Sequence, residues 1–218
     1  MAESGETIDV KVLIVSRRRF ALEAEEKRAL YCWADRLGGT TAGNSGFETE
    51  ASLMLKLLIL QQCGGGEVHR SRWGKPFVVD QPFRWSLSHD RALACVAMSP
   101  APVGIDVEQI VPLSEAHLAA LDHAAPEALG RWVRQSATRR QSMLRFALAW
   151  TATEAALKAS GEGFAVKGAL SEEDFRSWRY ESKMAEGCLI TCACSQLPRL
   201  SLQFVGREHL ARALEAMD

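Results

Sequence analysis

Apolar residues along this chain switch repeatedly between a period of two and a helical period. Val10 to Val15 is a short β-branched run and predicts a first strand. Arg17-Arg18-Arg19 follows, and then a helical pattern from about Phe20 to Leu37, which Gly38-Gly39 stops. Residues 40–47 are rich in Thr, Gly, Asn and Ser and predict a loop. Glu48 to Cys63 predicts a second, mostly apolar and buried helix, ended by Gly64-Gly65-Gly66. The triple glycine lacks the Lys-Ser/Thr of a P-loop and opens no helix after a strand, so it reads as a helix stop.

Strands are predicted at Arg84 to Ser88, Leu93 to Met98 and Val103 to Ile110. Pro112 to Arg140 is broken by Pro126 and Gly130 and predicts short helices and loops. Gln141 to Ser160 is the longest predicted helix, with Leu144, Leu148, Thr151 and Ala155 at helical spacing and Gly161 at its C-terminal end. Strand-like runs at Ser177 to Lys183, Cys188 to Cys194 and Leu200 to Val205 precede a terminal helix, Arg207 to Ala216. Prolines near Ser99 to Pro102 divide the pattern into residues 1–102 and 103–218, each with helices and mostly antiparallel strands. Pattern alone gives an α+β protein of one or two domains.

Composition narrows the field. The 218 residues carry a net charge of −1, which argues against a general nucleic-acid or membrane-surface binder. The start of the chain is polar and acidic, unlike a signal peptide, and the longest apolar stretch, Leu53 to Leu60, is too short to span a bilayer. The expectation is a soluble cytoplasmic protein that engages neither nucleic acid nor membrane. Of the six cysteines, Cys188, Cys192 and Cys194 are the closest in sequence. Their spacing fits no common zinc pattern, and cysteines in an apolar strand read as small buried hydrophobes.

The chemistry sits in two segments. Val103-Gly104-Ile105-Asp106-Val107-Glu108 places two carboxylates on one face of a strand. Trp150-Thr151-Ala152-Thr153-Glu154-Ala155-Ala156-Leu157-Lys158 places Glu154 and Lys158 on one face of a helix. Three carboxylates converging with a lysine suit a hard cation beside an anionic substrate, because magnesium is commonly held by one or two carboxylates and substrate phosphates. Taken singly, Asp106 and Glu108 also fit an exposed strand face. Glu154 and Lys158 also fit a helix-surface ion pair worth about 0.3–0.5 kcal/mol.

Taken together, these segments resemble the Sfp-type 4'-phosphopantetheinyl transferases. Gly104-Ile105-Asp106-Val107-Glu108 matches that family's G-I/V-D-x-E, and Trp150 to Lys158 followed by Gly161-Glu162-Gly163-Phe164 matches its W-x-x-K-E-A-x-x-K helix and G-x-G. Gly74-Lys75-Pro76 matches its G-K-P, and Trp85-Ser86-Leu87-Ser88-His89 its F-N-x-S-H. The resemblance implies a pseudo-twofold fold of two similar α/β subdomains, with the active site in the cleft between them and both in one chain, as a monomer. It implies transfer of the phosphopantetheine arm of coenzyme A to a serine of an acyl or peptidyl carrier protein, as in fatty-acid, polyketide and peptide synthesis, with release of 3',5'-adenosine bisphosphate. Asp106, Glu108 and Glu154 match the magnesium positions, with Asp106 counted also among the catalytic and coenzyme A contacts. Glu154 is the first candidate for general base. Lys158, Ser88 and His89 fall near the phosphates of coenzyme A, and Arg72, Lys75 and Pro76 near its adenine and ribose phosphate.

Two departures stand out. Thr153 occupies the family's usual lysine position, and loss of one charge-assisted contact costs about 1.5–3 kcal/mol of coenzyme A binding. Thr153→Lys is therefore expected to tighten that binding. The second predicted helix carries only Lys56 where the family tends to have arginines, and Arg17 to Arg19 could compensate. These departures leave open a member that binds coenzyme A or a carrier protein without transfer. Arg131, Arg134, Arg139 and Arg140 are candidates for the carrier-protein face.

Overall fold

The computed structural model describes residues 6–36, 46–65, 67–72, 75–161 and 168–216. The expected stop at Gly38-Gly39, most of the loop at 40–47, Gly66, Gly74 and the Glu162-Gly163-Phe164 segment lie outside them.

Among the described residues sixteen elements follow one another: β1 (Thr7–Ser16), α1 (Ala24–Arg36), α2 (Phe47–Gln62), β2 (Val68–Arg70), β3 (Pro76–Val78), β4 (Arg84–His89), β5 (Leu93–Ser99), β6 (Val103–Gln109), α3 (Glu115–Ala124), α4 (Glu127–Arg134), α5 (Arg139–Ser160), α6 (Glu172–Arg176), β7 (Arg179–Ala185), β8 (Cys188–Cys194), β9 (Leu197–Phe204) and α7 (Arg207–Glu215). The fold is mixed α+β, as the pattern predicts. The β2–β3 hairpin and α6 were not legible, being too short to show a period.

A four-stranded sheet runs β4-β5-β1-β9 and a three-stranded antiparallel sheet runs β6-β8-β7. Strand β9 pairs parallel with β1, with Val10 opposite Leu200, so this sheet draws on both ends of the chain. The two sheets face each other across one core, formed by Val10, Val12 and Ile14 of β1, Ile105 and Val107 of β6, and Cys188, Ile190 and Cys192 of β8. Helices cover the outer faces. α2 packs on the four-stranded sheet with Met54, Leu55, Leu57 and Ile59 against Leu13, Val15, Val96 and Trp85. α5 packs on the three-stranded sheet, where Ala155 and Ala159 meet Ala193.

This four-layer order explains the sequence. Strands β5 and β8 are buried at every position and read as unbroken apolar runs, because both faces are covered. The cysteines of β8 lie in this core, and burial pushes the Cys188 thiol up to about 12 and that of Cys194 to about 11. Packed in this way they serve as small core hydrophobes. Helix α2 has no side-chain cap at Gly46. Burial holds it instead, at about 1.5–3 kcal/mol for each large aliphatic side chain. Among the described residues no helix is long and apolar enough to cross a membrane.

Candidate active site at the seam of the two sheets

The edge strands β4 and β6 meet where the two sheets adjoin, and α5 closes the junction. Gly104 makes that closure possible. A Cβ there would lie 1.8 Å from the Ala155 carbonyl oxygen and 2.5 Å from the Ala159 nitrogen. Only glycine lets α5 lie directly on β6, one turn from Lys158. Thr138 caps the start of α5 by accepting a hydrogen bond from the Gln141 N–H at 3.1 Å. Gly161 ends it in the left-handed conformation at φ 77°.

At the seam, Asp106 is 4% exposed. Its Oδ1 accepts hydrogen bonds from Lys158 Nζ at 2.7 Å and from Ser88 Oγ at 2.8 Å, and Lys158 Nζ also reaches Ser88 Oγ at 3.0 Å. Glu154 Oε2 lies 4.0 Å from Lys158 Nζ. Lys158 therefore bonds chiefly across the seam to a buried carboxylate, which is not how a helix-surface ion pair behaves. Burial raises Asp106 above the ordinary carboxylate range, although Lys158 and Ser88 pull it down. Burial also raises Glu154 to about 6, with Lys158 lowering and Asp106 raising it. Glu108 is pushed up to about 7 by burial and then by the charges of Asp106, Asp90 and Glu154. The Trp150 side chain partly offsets this with a hydrogen bond to Glu108, and Phe146 stacks on Trp150 at 6.1 Å.

Three carboxylates raised together mark a site short of positive charge. Among the described residues the buried Oδ2 of Asp106 has no hydrogen-bond partner, a costly state that a cation would relieve. The all-oxygen donor set of Asp106, Glu108 and Glu154 fits a hard divalent cation. Among the described residues no three His, Cys, Asp or Glu side chains converge closely enough to hold a metal unaided. Magnesium does not need such a cage, because water and substrate phosphate complete its octahedron.

The remaining expected residues lie around this center. His89 is exposed, with Nδ1 3.5 Å from Glu48 Oε2 on the first turn of α2. Lys75, Pro76 and Arg72 line a cavity of about 370 Å³ beside the C-terminus of α5, walled also by Phe77, Phe83 and Pro102. The Lys75 ammonium donates to the carbonyls of Lys158 at 2.6 Å, Val103 at 3.1 Å and Ala159 at 3.4 Å. It thereby satisfies the negative end of α5 and ties that helix to β6. Burial lowers its pKa to about 8.

Two side chains at the site escaped the sequence reading. Asp90 accepts hydrogen bonds from the Ala92 N–H at 3.0 Å and the Gln109 N–H at 2.6 Å, fixing the strand end that carries Glu108. Arg84 lines the cavity. Position was the only signal for either, since Asp90 follows the Ser-His pair and Arg84 precedes Trp85.

Thr153 requires a correction. It is fully buried, and its hydroxyl donates to the Ala149 carbonyl at 2.8 Å. Among the described residues its hydroxyl forms no hydrogen bond to the Ser88–Asp106–Lys158 cluster, so it stands apart from that cluster. The candidate docking arginines also divide: Arg131 is paired with Glu127 and Arg134 with Asp122.

No curated protein matches the chain. Residues 102–197, a little under half of it, match the family model of the 4'-phosphopantetheinyl transferase superfamily, a span that contains Asp106, Glu108, Glu154 and Lys158.

Proposed function

We propose that this protein is an Sfp-type, magnesium-dependent 4'-phosphopantetheinyl transferase. In this reading it moves the phosphopantetheine arm of coenzyme A to a serine of an acyl or peptidyl carrier protein. The observation that carries the proposal is the Ser88–Asp106–Lys158 cluster, whose Asp106 Oδ2 has no partner among the described residues, with Asp106 and Lys158 inside the segment that matches the transferase superfamily.

The pyrophosphate of coenzyme A lies at the seam, with the Lys158 ammonium on a phosphate oxygen. A magnesium ion held by Asp106, Glu108 and Glu154 would polarize the phosphoryl oxygens and neutralize charge during transfer. Glu154, which burial raises to about 6 in the metal-free chain, is the general base of this reading, directly or through a water. The carrier serine loses its proton to Glu154, directly or by way of a water, as its hydroxyl oxygen bonds to phosphorus. The bond from phosphorus to the bridging oxygen breaks, and 3',5'-adenosine bisphosphate leaves with the electron pair. Asp106 and Ser88 hold Lys158 in register. The cavity beside Gly161 takes the adenosine, its apolar walls receiving the base.

The test is intact-mass analysis of a panel of apo carrier proteins incubated with the protein, coenzyme A and magnesium. The expected result is a phosphopantetheine adduct that disappears with a chelator. Absence of adduct on every carrier, with coenzyme A still bound in calorimetry, would instead identify a coenzyme A-binding protein without turnover.

A further inference from the structure

Strand β4 gives the seam a direction. It runs from Arg84, at the cavity, to His89, about 17 Å away. A nucleoside in the cavity puts the leaving group toward Arg84. Attacking and leaving oxygens lie roughly in line across phosphorus. The acceptor hydroxyl therefore comes from the His89 side, where β6 finishes with Glu108 and Gln109.

Arginines stand at that side. Ser16 of β1 lies opposite Leu93 of β5, and His89 of β4 lies opposite Ala94. Arg17 follows at once. Its N–H donates to the Ala92 carbonyl at 2.9 Å, and its guanidinium to the Arg91 carbonyl at 3.4 Å. Asp90 continues the link by accepting from the Gln109 N–H at 2.6 Å, one residue from Glu108. The charge of Arg18 is felt at Cys188, as are those of Asp90 and Glu108. Arg17, Arg18 and Arg91 thus share the strand end that carries Glu108, away from the cavity.

All three are exposed, and none forms an ion pair among the described residues. The acidic groups beside them are engaged elsewhere. Glu186 accepts from Ser16 and pairs with Arg19 at 2.9 Å, Asp90 holds two backbone N–H groups, and Glu48 faces His89. Guanidinium groups gathered without counter-ions repel one another, and a surface of carboxylates relieves that repulsion. With 26 Lys and Arg against 27 Asp and Glu, the chain has no overall basic excess of the kind that marks a nucleic-acid binder. The patch is local, and it suits an acidic protein.

We propose that Arg17, Arg18 and Arg91 form the docking surface for an acidic carrier protein, beside the side of the seam where the acceptor serine enters. The proposal rests on the transferase reading. It assigns acceptor recognition to the end of β1 and the β4–β5 turn, not to the arginines of α4 and α5.

The experiment is fluorescence anisotropy of dye-labelled apo carrier proteins titrated with the full chain at low and at high salt. The wild type is expected to bind an acidic carrier, less tightly at high salt. Replacing Arg17, Arg18 and Arg91 together by alanine should weaken binding about 10-fold and flatten the salt dependence. Circular dichroism checks that the triple variant folds, and its coenzyme A affinity in calorimetry should equal that of the wild type. Arg139→Ala with Arg140→Ala should leave carrier binding intact, because those residues stand more than about 20 Å along α5 from Glu154. Four results overturn the proposal: no carrier bound by the wild type, full affinity in the triple variant, a loss that follows Arg139 and Arg140, or arginine-dependent binding of RNA or anionic vesicles in place of any carrier. Failure of the transferase reading looks different: arginine-dependent carrier binding persists, but no carrier gains mass.

Discussion

The two ends of the candidate site are built on opposite principles. At the β6–α5 seam, every functional group is packed. Asp106 is buried, Gly104 admits the helix backbone, and Lys158 is held by two partners. At the β2–β3 hairpin and the start of β4, Arg72 and Arg84 stand exposed around a cavity, and Lys75 alone is held against the end of α5. Reacting atoms demand fixed distances, so the seam tolerates little change. A nucleotide end needs only shape and charge, which different residues can supply. The superfamily match starts at residue 102 and so takes in the β6 and α5 sides of the seam, but neither β4 nor the hairpin.

The largest effect should come from the center of the seam. Asp106→Asn keeps the shape of the buried side chain but removes its charge, leaving Lys158 without its main counter-ion. Transfer is expected to fall by about 100- to 1000-fold, the scale seen when a preorganized electrostatic contact is lost. The thermal midpoint should change far less than the rate. Turnover within threefold of wild type, in a steady-state assay, would remove Asp106 from the reacting center.

Gly104→Ala tests the packing that supports this center. The new methyl would sit inside contact distance of the α5 backbone, so the helix must lift from β6. A cost of about 3 kcal/mol is expected, at the upper end for overpacking, and urea unfolding measures it. Lys158 should lose register with Asp106, so activity should fall even below the denaturation midpoint. A variant of wild-type stability and rate would mean that α5 can be repositioned freely, and the contrast between a rigid seam and an adaptable cavity would fail.

The pattern of apolar residues located most elements within a few positions, because nearly all of the core comes from long strands and two long helices. The pairing of β9 with β1 escaped it, since β-branched runs carry no label for their partner or for parallel direction. The chemistry was legible where residue type and spacing impose a face: Asp106 with Glu108 on a strand, Glu154 with Lys158 on a helix. The pairing of Lys158 with Asp106 in preference to Glu154 was not, because it depends on how closely Gly104 lets the two elements approach. Thr153 shows the limit most clearly. It aligns with a lysine in the resembling motif, yet its side chain turns toward the Ala149 carbonyl in the interior. Lysine there would place an ammonium in a site with no described charge partner, at a cost of several kcal/mol. Thr153→Lys is thus expected to lower stability and leave coenzyme A affinity no better, as unfolding and calorimetry would measure. Tighter binding at unchanged stability would show that this turn of α5 opens to the ligand.

The smallest expected effect concerns the carboxylates as a group. Glu108 and Glu154 have folded pKa values of about 7 and 6, both above the ordinary value of 4.5. Between those limits the folded chain holds more protons than the unfolded one, so these groups lower stability as pH rises. Their contribution is complete below pH about 4.5 and is lost as pH passes through 6 and 7. In chelator, the thermal midpoint should therefore contain a component that declines from pH 5 to pH 8. A divalent cation competes with those protons, so magnesium should raise the midpoint by a few degrees at pH 8 and by nothing measurable at pH 5. The same scan on Asp106→Asn separates this from a general salt effect: a shift that depends on the seam carboxylates should shrink there, while surface screening should not. An equal magnesium shift at both pH values, or one that survives in Asp106→Asn, would detach the raised carboxylates from cation binding. The seam would then be rigid for packing reasons alone.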